Sequence, residues 1–345
     1  MRIAQVAPIV ERVPPKMYGG TERMVNALTE ELVARGHEVT LFASGDSVTS
    51  ATLRAVYPRG LREAHLPDLY GLNPWTLLNA GLAYSLEEEF DIIHDHLAPL
   101  SLPIANMART PVVATIHGAF NPDTRRLFQI LRKPYIATIS HSQGRHEGTA
   151  INHAGVVHNG LAMESYPFGA TPGEYLLFVG RMSMQKGVHI AIAVAQELDL
   201  PLLIAAKLDA EDEQYFNFYV KPRLGNRIEW IGEVNEAKRN ELMSNAKCFL
   251  LPAMWREPFG LTLIEAAACG CPVVAFNRGS IPEIVVDGVT GFIVDDIEEM
   301  TDAVAKIDTI DRAACRAHAL SRFSARRMTD DYEEMYRKIL TSRTS

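Results

Sequence analysis

Cysteine is scarce in this chain: four residues in 345 (Cys248, Cys269, Cys271 and Cys315), all in the second half. Their spacing fits neither a disulfide ladder nor a zinc site, so four buried, reduced thiols are expected, as in a cytoplasmic protein. Long apolar runs are missing too. The longest, residues 266–276, contains Gly270 and Pro272 and is too short to cross a bilayer. The opening residues MRIAQVAPIVERVPP offer no signal-peptide core, because Gln5 interrupts their apolar stretch and Glu11 ends it. There is no surplus of positive charge. Lys and Arg number 34 against 42 Asp and Glu, a net charge of −8, and neither half of the chain is basic, so no nucleic-acid partner is expected.

The familiar nucleotide signatures are absent as well. No GxGxxG follows the first apolar run, which argues against an NAD enzyme. The run GRMSMQKG has glycine where a P-loop needs Lys-Ser/Thr, and no strand end carries a convincing Asp-x-Asp; Asp295-Asp296 reads as a turn.

What is present is a globular composition, 47% hydrophobic and 22% charged, over a length that fits two domains. Short Val- and Ile-rich runs alternate with helix-period segments. RIAQVA precedes a helix over 22–35, in which Met24, Val25, Leu28, Leu32 and Val33 share a face and Gly36 is the stop. VTLFAS, DIIHDH, PVVATIH, YIATIS and GVVHNG continue the series; strands with such consecutive apolar residues at their centres belong to a parallel sheet covered on both faces. Residues 161–174, with two Pro and two Gly, read as a linker. The rhythm then restarts with YLLFVG, PLLIAA, RIEWIG, CFLLPA, PVVAF and GFIV. The expectation is α/β architecture: a Rossmann-like domain over 1–165, a second over 170–322, and a C-terminal helix within 323–345. That helix, over 325–340, carries Met328, Tyr332, Met335, Tyr336 and Ile339 on one face. Residues 44–75, rich in Ser, Thr, Pro and Gly, carry no clear element.

Three segments offer anion-binding tools. PPKMYGGTER ends in Gly19-Gly20 directly before a helix, where backbone N–H groups are free to face an anion; an ordinary loop-to-helix turn reads the same way. Arg181 and Lys186 share one strand-to-helix loop and together neutralise a diphosphate without metal, unless they are simply solvated. WREPFGLTLIEAAACG sets Glu257 and Glu265 eight apart, with Phe259, Gly260 and Leu261 opening a helix between them. Glu265 is flanked by apolar residues, so its carboxylate needs hydrogen-bond donors such as two ribose hydroxyls.

Taken with LVARGHEVTLFA, VVHNG, FVGRMSMQKG, WIGEVN and GSIPEIVVDGVTGFIV, these motifs resemble the family 4 retaining glycosyltransferases of GT-B fold over nearly the whole chain. The resemblance implies two Rossmann-like domains facing across a cleft and transfer of a hexosyl group from a UDP- or GDP-linked sugar to an acceptor hydroxyl, with no metal cofactor. Under it, Arg181 and Lys186 hold the donor diphosphate, and Gly19 and Gly20 approach the same group. Glu265 binds the ribose, Glu257 the sugar hydroxyls, and the backbone of Phe259, Gly260 and Leu261 orients sugar and phosphate. Val234 meets the base, with Glu236 and Arg239 nearby. His117 lies near the donor sugar, and His94 and His96 face the acceptor; their HxH spacing lacks a third ligand for a metal. Front-face substitution, with the leaving phosphate as base, explains the lack of an evident general base. Glycosidases retain configuration with two facing carboxylates, but have no use for an Arg181/Lys186 anion site.

Two other classes remain open on the sequence: a sugar-nucleotide epimerase or phosphorylase of the same fold, and a non-catalytic subunit with a donor pocket. Residues 125–133, RRLFQILRK, form a basic-apolar helix compatible with contact to an anionic lipid surface or with a solvated face.

Overall fold

The computed structural model describes residues 1–65, 74–145 and 151–342 and divides into two compact units. The first comprises Met1–Ala162 and Ser324–Ser345, the second Met163–Phe323. Residues 66–73, which fall in the stretch without a clear element, lie outside the described residues.

The sheet of the first unit contains β1 (Arg2–Val6), β2 (Glu38–Phe42), β3 (Thr52–Arg54), β4 (Ile92–Asp95), β5 (Val112–Ile116), β6 (Tyr135–Thr138) and β7 (His153–Val156) in the order β3-β2-β1-β4-β5-β6-β7. Every pairing is parallel. The second unit holds β8 (Leu176–Arg181), β9 (Leu202–Lys207), β10 (Ile228–Trp230), β11 (Cys248–Leu251), β12 (Val273–Phe276) and β13 (Gly291–Val294), ordered β10-β9-β8-β11-β12-β13 and again parallel. Strands β4, β5, β11 and β12 are buried at every position, as expected of strands covered on both faces. All four cysteines are buried free thiols, and burial pushes those of Cys248, Cys269 and Cys315 up to about 12.

In both sheets the strand order reverses once, between β1 and β4 and between β8 and β11. In a doubly wound sheet, ligands bind outside the carboxyl ends of the strands flanking such a switch point. His94 and His96 fall at the first of these places, and Arg181, Lys186 and Glu257 at the second; His117 follows the neighbouring β5 and Val234 the edge strand β10.

Sequence and structure differ in detail. Strand β3 lies in the stretch that showed no element. β7 begins at His153, earlier than the GVVHNG reading, and its register against β6 shifts between Ile136 and Ala137. The glycines of residues 163–174 are packed while the two prolines there are exposed: a β-carbon on Gly169 would stand 1.7 Å from the Ser244 carbonyl oxygen, and Arg312 donates to the carbonyls of Gly169, Ser244 and Ala246.

The last helix, Ala325–Ser342, belongs to the first unit. Its stripe of Met328, Tyr332, Met335, Tyr336 and Ile339 is buried. Arg35 and His37, just past the helix Gly20–Ala34, reach Asp330 at 2.7 Å and Glu333 at 2.6 Å respectively. The basic segment near residue 125 forms the helix Pro122–Ile130, with an Asn121/Thr124 capping box; Phe128 is buried while Leu127 and Ile130 are exposed. Among the described residues, no helix is long and apolar enough to cross a membrane.

Candidate active site

Arg181 is the last residue of β8, and the turn Met184–Lys186 follows it at once. Gly187 then takes φ +74°, and a β-carbon there would stand 2.1 Å from the Pro252 carbonyl oxygen. Only glycine lets this loop lie against the end of β11. A hydrogen bond of 2.8 Å from Met254 N–H to the Gln185 carbonyl ties the same two loops together. The switch-point neighbours β8 and β11 thus bring Lys186 to Glu257, 71 residues away: Nζ lies 2.7 Å from Oε2. The Trp255 indole N–H donates to the same oxygen at 3.0 Å, and Lys186 Nζ sits 5.3 Å from the centroid of that ring.

Glu257 is held by its backbone as well. Ser280 donates its N–H to the Glu257 carbonyl at 2.9 Å, and its hydroxyl lies 3.0 and 2.9 Å from the carbonyls of Glu257 and Phe259. Phe259 is buried and Gly260 is the N-cap of the helix Leu261–Ala268, where no side chain makes a capping bond. This helix start, with Leu261 as its first residue, keeps its backbone donors beside Glu257.

Arg181 faces two carboxylates, Glu211 at 3.3 Å and Asp212 at 3.4 Å. Burial raises the Asp212 carboxyl above the ordinary carboxylate range, and the Arg181 charge opposes the rise. Glu265, in the second turn of its helix, is fully buried, and Arg239 Nη2 stands 2.8 Å from its Oε1. Arg239 comes from the helix Glu236–Asn245, whose N-cap Asn235 accepts from Lys238 N–H at 2.9 Å. Half-buried Val234 immediately precedes that cap; Glu236 is exposed, 3.8 Å from Arg239. The two glutamates therefore each carry a separate cation, Glu257 with Lys186 and Glu265 with Arg239. This is not the open pair of facing carboxylates that glycoside hydrolysis requires.

In the first unit, Gly19, Gly20, His94, His96 and His117 all lie at or just beyond the carboxyl ends of β1, β4 and β5. Gly19 is buried against Pro15, and Gly20 opens the helix Gly20–Ala34. His94 and His96 have all four ring nitrogens within hydrogen-bond distance of protein groups: Tyr336, Thr115, His117 and Gln5. Half-buried His117 completes the row.

Sequence reasoning passed over several of these groups. Trp255 was the most accessible, two residues before Glu257 in the same loop. The Arg239 pairing with Glu265, the Glu211/Asp212 contact with Arg181, and Gln5, Tyr332 and Tyr336 behind the histidines come from distant segments and leave no local signal.

Glu22 was also passed over. It lies in the first helical turn beside Gly19, and burial lifts its carboxyl to about 7, with Glu11 reinforcing the rise and Arg62 opposing it. A helix N-terminus favours a charged carboxylate, but here desolvation outweighs it. A raised carboxyl keeps a proton that the unfolded chain releases, so stability falls as pH rises from about 4.5 to about 7. Glu22→Gln is expected to stabilise the protein by roughly 3 kcal/mol at pH 8 and by little at pH 4.5. Denaturant unfolding at the two pH values checks this; equal gains at both would refute it.

Family models match the chain in tandem: "Glycosyltransferase Family 4" over residues 18–146 and "Glycosyl transferases group 1" over residues 169–321. The chain is 26% identical to a glycogen synthase of Mycobacterium tuberculosis, covering 93% of this chain and 89% of the relative. It is 29% identical to a phosphatidyl-myo-inositol mannosyltransferase of Mycolicibacterium smegmatis, covering 94% and 89%. The structure of sucrose-phosphate synthase from Thermosynechococcus elongatus superposes with a TM-score of 0.81 at 19% identity, covering 99% of this chain and all of that one. Two doubly wound units of this kind define the GT-B glycosyltransferase architecture. The chain belongs to family 4 of the glycosyltransferases, the group 1 type.

Proposed function

We propose that this glycosyltransferase moves a hexosyl group from a UDP- or GDP-linked sugar to an acceptor hydroxyl with retention of configuration and without a metal. The observation that carries the reading is the pair of cations at the β8 switch point. Arg181 and Lys186 stand on one loop, each already neutralised by carboxylates, at Glu211/Asp212 and Glu257. A donor diphosphate exchanges for these carboxylates as the counter-charge, and two cations match its charge with no divalent ion.

In the reaction the bond from the anomeric carbon to the phosphate oxygen breaks while the acceptor oxygen bonds to the same face. The acceptor proton passes to the departing phosphate oxygen, so no side-chain base is needed. Arg181 and Lys186 stabilise the charge that develops on the leaving diphosphate. Glu257, once Lys186 turns to phosphate, accepts from sugar hydroxyls; Glu265 accepts from the ribose, and the backbone near Val234 meets the base. Phe259, Gly260 and Leu261 present N–H groups to sugar and phosphate. The first unit carries the acceptor-binding part, and His117 meets a sugar hydroxyl.

Calorimetry with UDP and GDP in the presence of EDTA tests the donor site, and one nucleotide is expected to bind. Proton NMR of slow donor hydrolysis tests the stereochemistry without a known acceptor: the first-released hexose should keep the donor's anomeric configuration before it mutarotates. Absence of binding by either nucleotide overturns the reading in favour of a non-catalytic subunit, and inverted product overturns retention.

A further inference from the structure

A hydrogen-bonded file runs behind His117 within the first unit. His117 Nε2 lies 3.0 Å from His96 Nδ1, and His96 Nε2 lies 2.8 Å from the side-chain oxygen of Gln5, which is fully buried on β1. An amide oxygen only accepts, so His96 carries its hydrogen on Nε2. In a neutral ring Nδ1 is then an acceptor, and the hydrogen between the two histidines belongs to His117 Nε2. What remains on His117 is a lone pair at Nδ1.

A second file holds the first in place. The His94 ring lies 4.0 Å from the His96 ring, centroid to centroid. His94 Nδ1 lies 2.6 Å from the Tyr336 hydroxyl, its Nε2 lies 2.7 Å from Thr115 Oγ1, and Thr115 lies 2.9 Å from the Tyr332 hydroxyl. The acidic groups nearest in sequence point their bonds elsewhere: Asp95 accepts from Tyr84 and Leu97, and Glu333 is engaged by Arg35, His37 and Arg337. No carboxylate in these bonds stabilises an imidazolium. Burial holds His94 and His96 well below the ordinary histidine range and His117 at about 4, which keeps the file neutral near pH 7.

We propose that Gln5 and His96 are positioning residues that fix His117 as its Nε2–H tautomer, so that its Nδ1 accepts a hydrogen bond from a substrate hydroxyl. The inference rests on the reading of His117 as a sugar-facing residue. It narrows the ligand group, because a neutral acceptor nitrogen suits a hydroxyl and repels a phosphate oxygen. Tyr332 and Tyr336 connect the same arrangement to the C-terminal helix through His94.

Long-range proton–nitrogen NMR on the full ¹⁵N-labelled chain reads the tautomer directly, with His117 assigned by the loss of its signals in His117→Asn. The expected result is a protonated Nε2 and a bare Nδ1 in wild type, and a mixture in Gln5→Met and His96→Leu. Turnover gives a second readout, using donor hydrolysis. His96→Leu is expected to lose about tenfold or more in kcat with nucleotide affinity within about twofold of wild type. His96→Asn, whose amide oxygen stands where Nδ1 was, should recover most of that loss. A protonated Nδ1 on wild-type His117, or an unchanged tautomer in Gln5→Met, overturns the proposal. If wild type shows the expected tautomer but turns over no donor, the functional reading fails while the assignment of the file stands.

Discussion

Lys186→Ala is expected to lower kcat for sugar transfer by about a hundred- to a thousandfold, the range found when a preorganised donor to developing negative charge is removed. The effect should fall more on kcat than on nucleotide affinity, because Arg181 remains to hold the diphosphate in the ground state. Part of the loss arises indirectly. Glu257 is buried and takes Lys186 at 2.7 Å and Trp255 at 3.0 Å, so removing the lysine leaves a carboxylate with one indole N–H as its remaining side-chain donor among these contacts. Lys186→Arg does not restore the wild type: a planar guanidinium has a different reach from a point charge lying beside the Trp255 ring. A cycle of Lys186→Ala, Glu257→Gln and the double variant separates the two contributions, since the carboxylate left unpaired by the first change is neutral in the double. Initial rates of nucleotide release, with calorimetric binding on each variant, are the measurement. A Lys186→Ala enzyme within threefold of wild type would remove the lysine from the leaving group and leave Arg181 alone in that role.

The parts of this molecule that were readable in the sequence are those set by local periodicity. Runs such as PVVATIH and CFLLPA are mostly apolar because β5 and β11 are buried on both faces, and that pattern needs no partner to be recognised. The helix start at Phe259–Leu261 was legible for the same reason, with glycine and proline punctuating it. Pairing across sequence distance was not legible. Glu265 plainly needed compensation, and a ligand's hydroxyls were the available explanation; the structure adds Arg239, from a helix that shows no apolar stripe and no motif. The stripe on the last helix was evident, but its target was not, because Tyr336 meets His94 across 242 residues. Glycine misleads in a different way. In residues 161–174 it looks like flexibility, yet at Gly169 the missing β-carbon is what permits contact with the Ser244 carbonyl. One residue type serves opposite ends, and only the packing decides which.

Glu265→Ala is expected to destabilise the protein by about 3–5 kcal/mol, which complicates its use as a simple probe of nucleotide binding. Arg239 is almost wholly buried, with 6% of its side chain exposed, and Glu265 is at 0%, so deleting the carboxylate removes the close counter-charge of a guanidinium held away from water and leaves the more distant, exposed Glu236 at 3.8 Å. Removing both charges behaves differently. Arg239→Met combined with Glu265→Leu replaces the pair with apolar side chains of similar size, and buried pairs exchanged this way are often close to neutral. Stability should therefore fall in each single variant and recover in the double, as read from the denaturant midpoint of the unfolding transition to which the second unit contributes. Nucleotide affinity should not recover. A charged acceptor for ribose hydroxyls is worth about 1.5–3 kcal/mol per bond, so the double variant should bind at least about tenfold more weakly than wild type despite its restored fold. A double variant that is stable and binds nucleotide normally would mean that Glu265 holds Arg239 and nothing else. One that is stable and fails to bind separates the two roles of this carboxylate, the ion pair that keeps it buried and the ligand contact that its burial position serves.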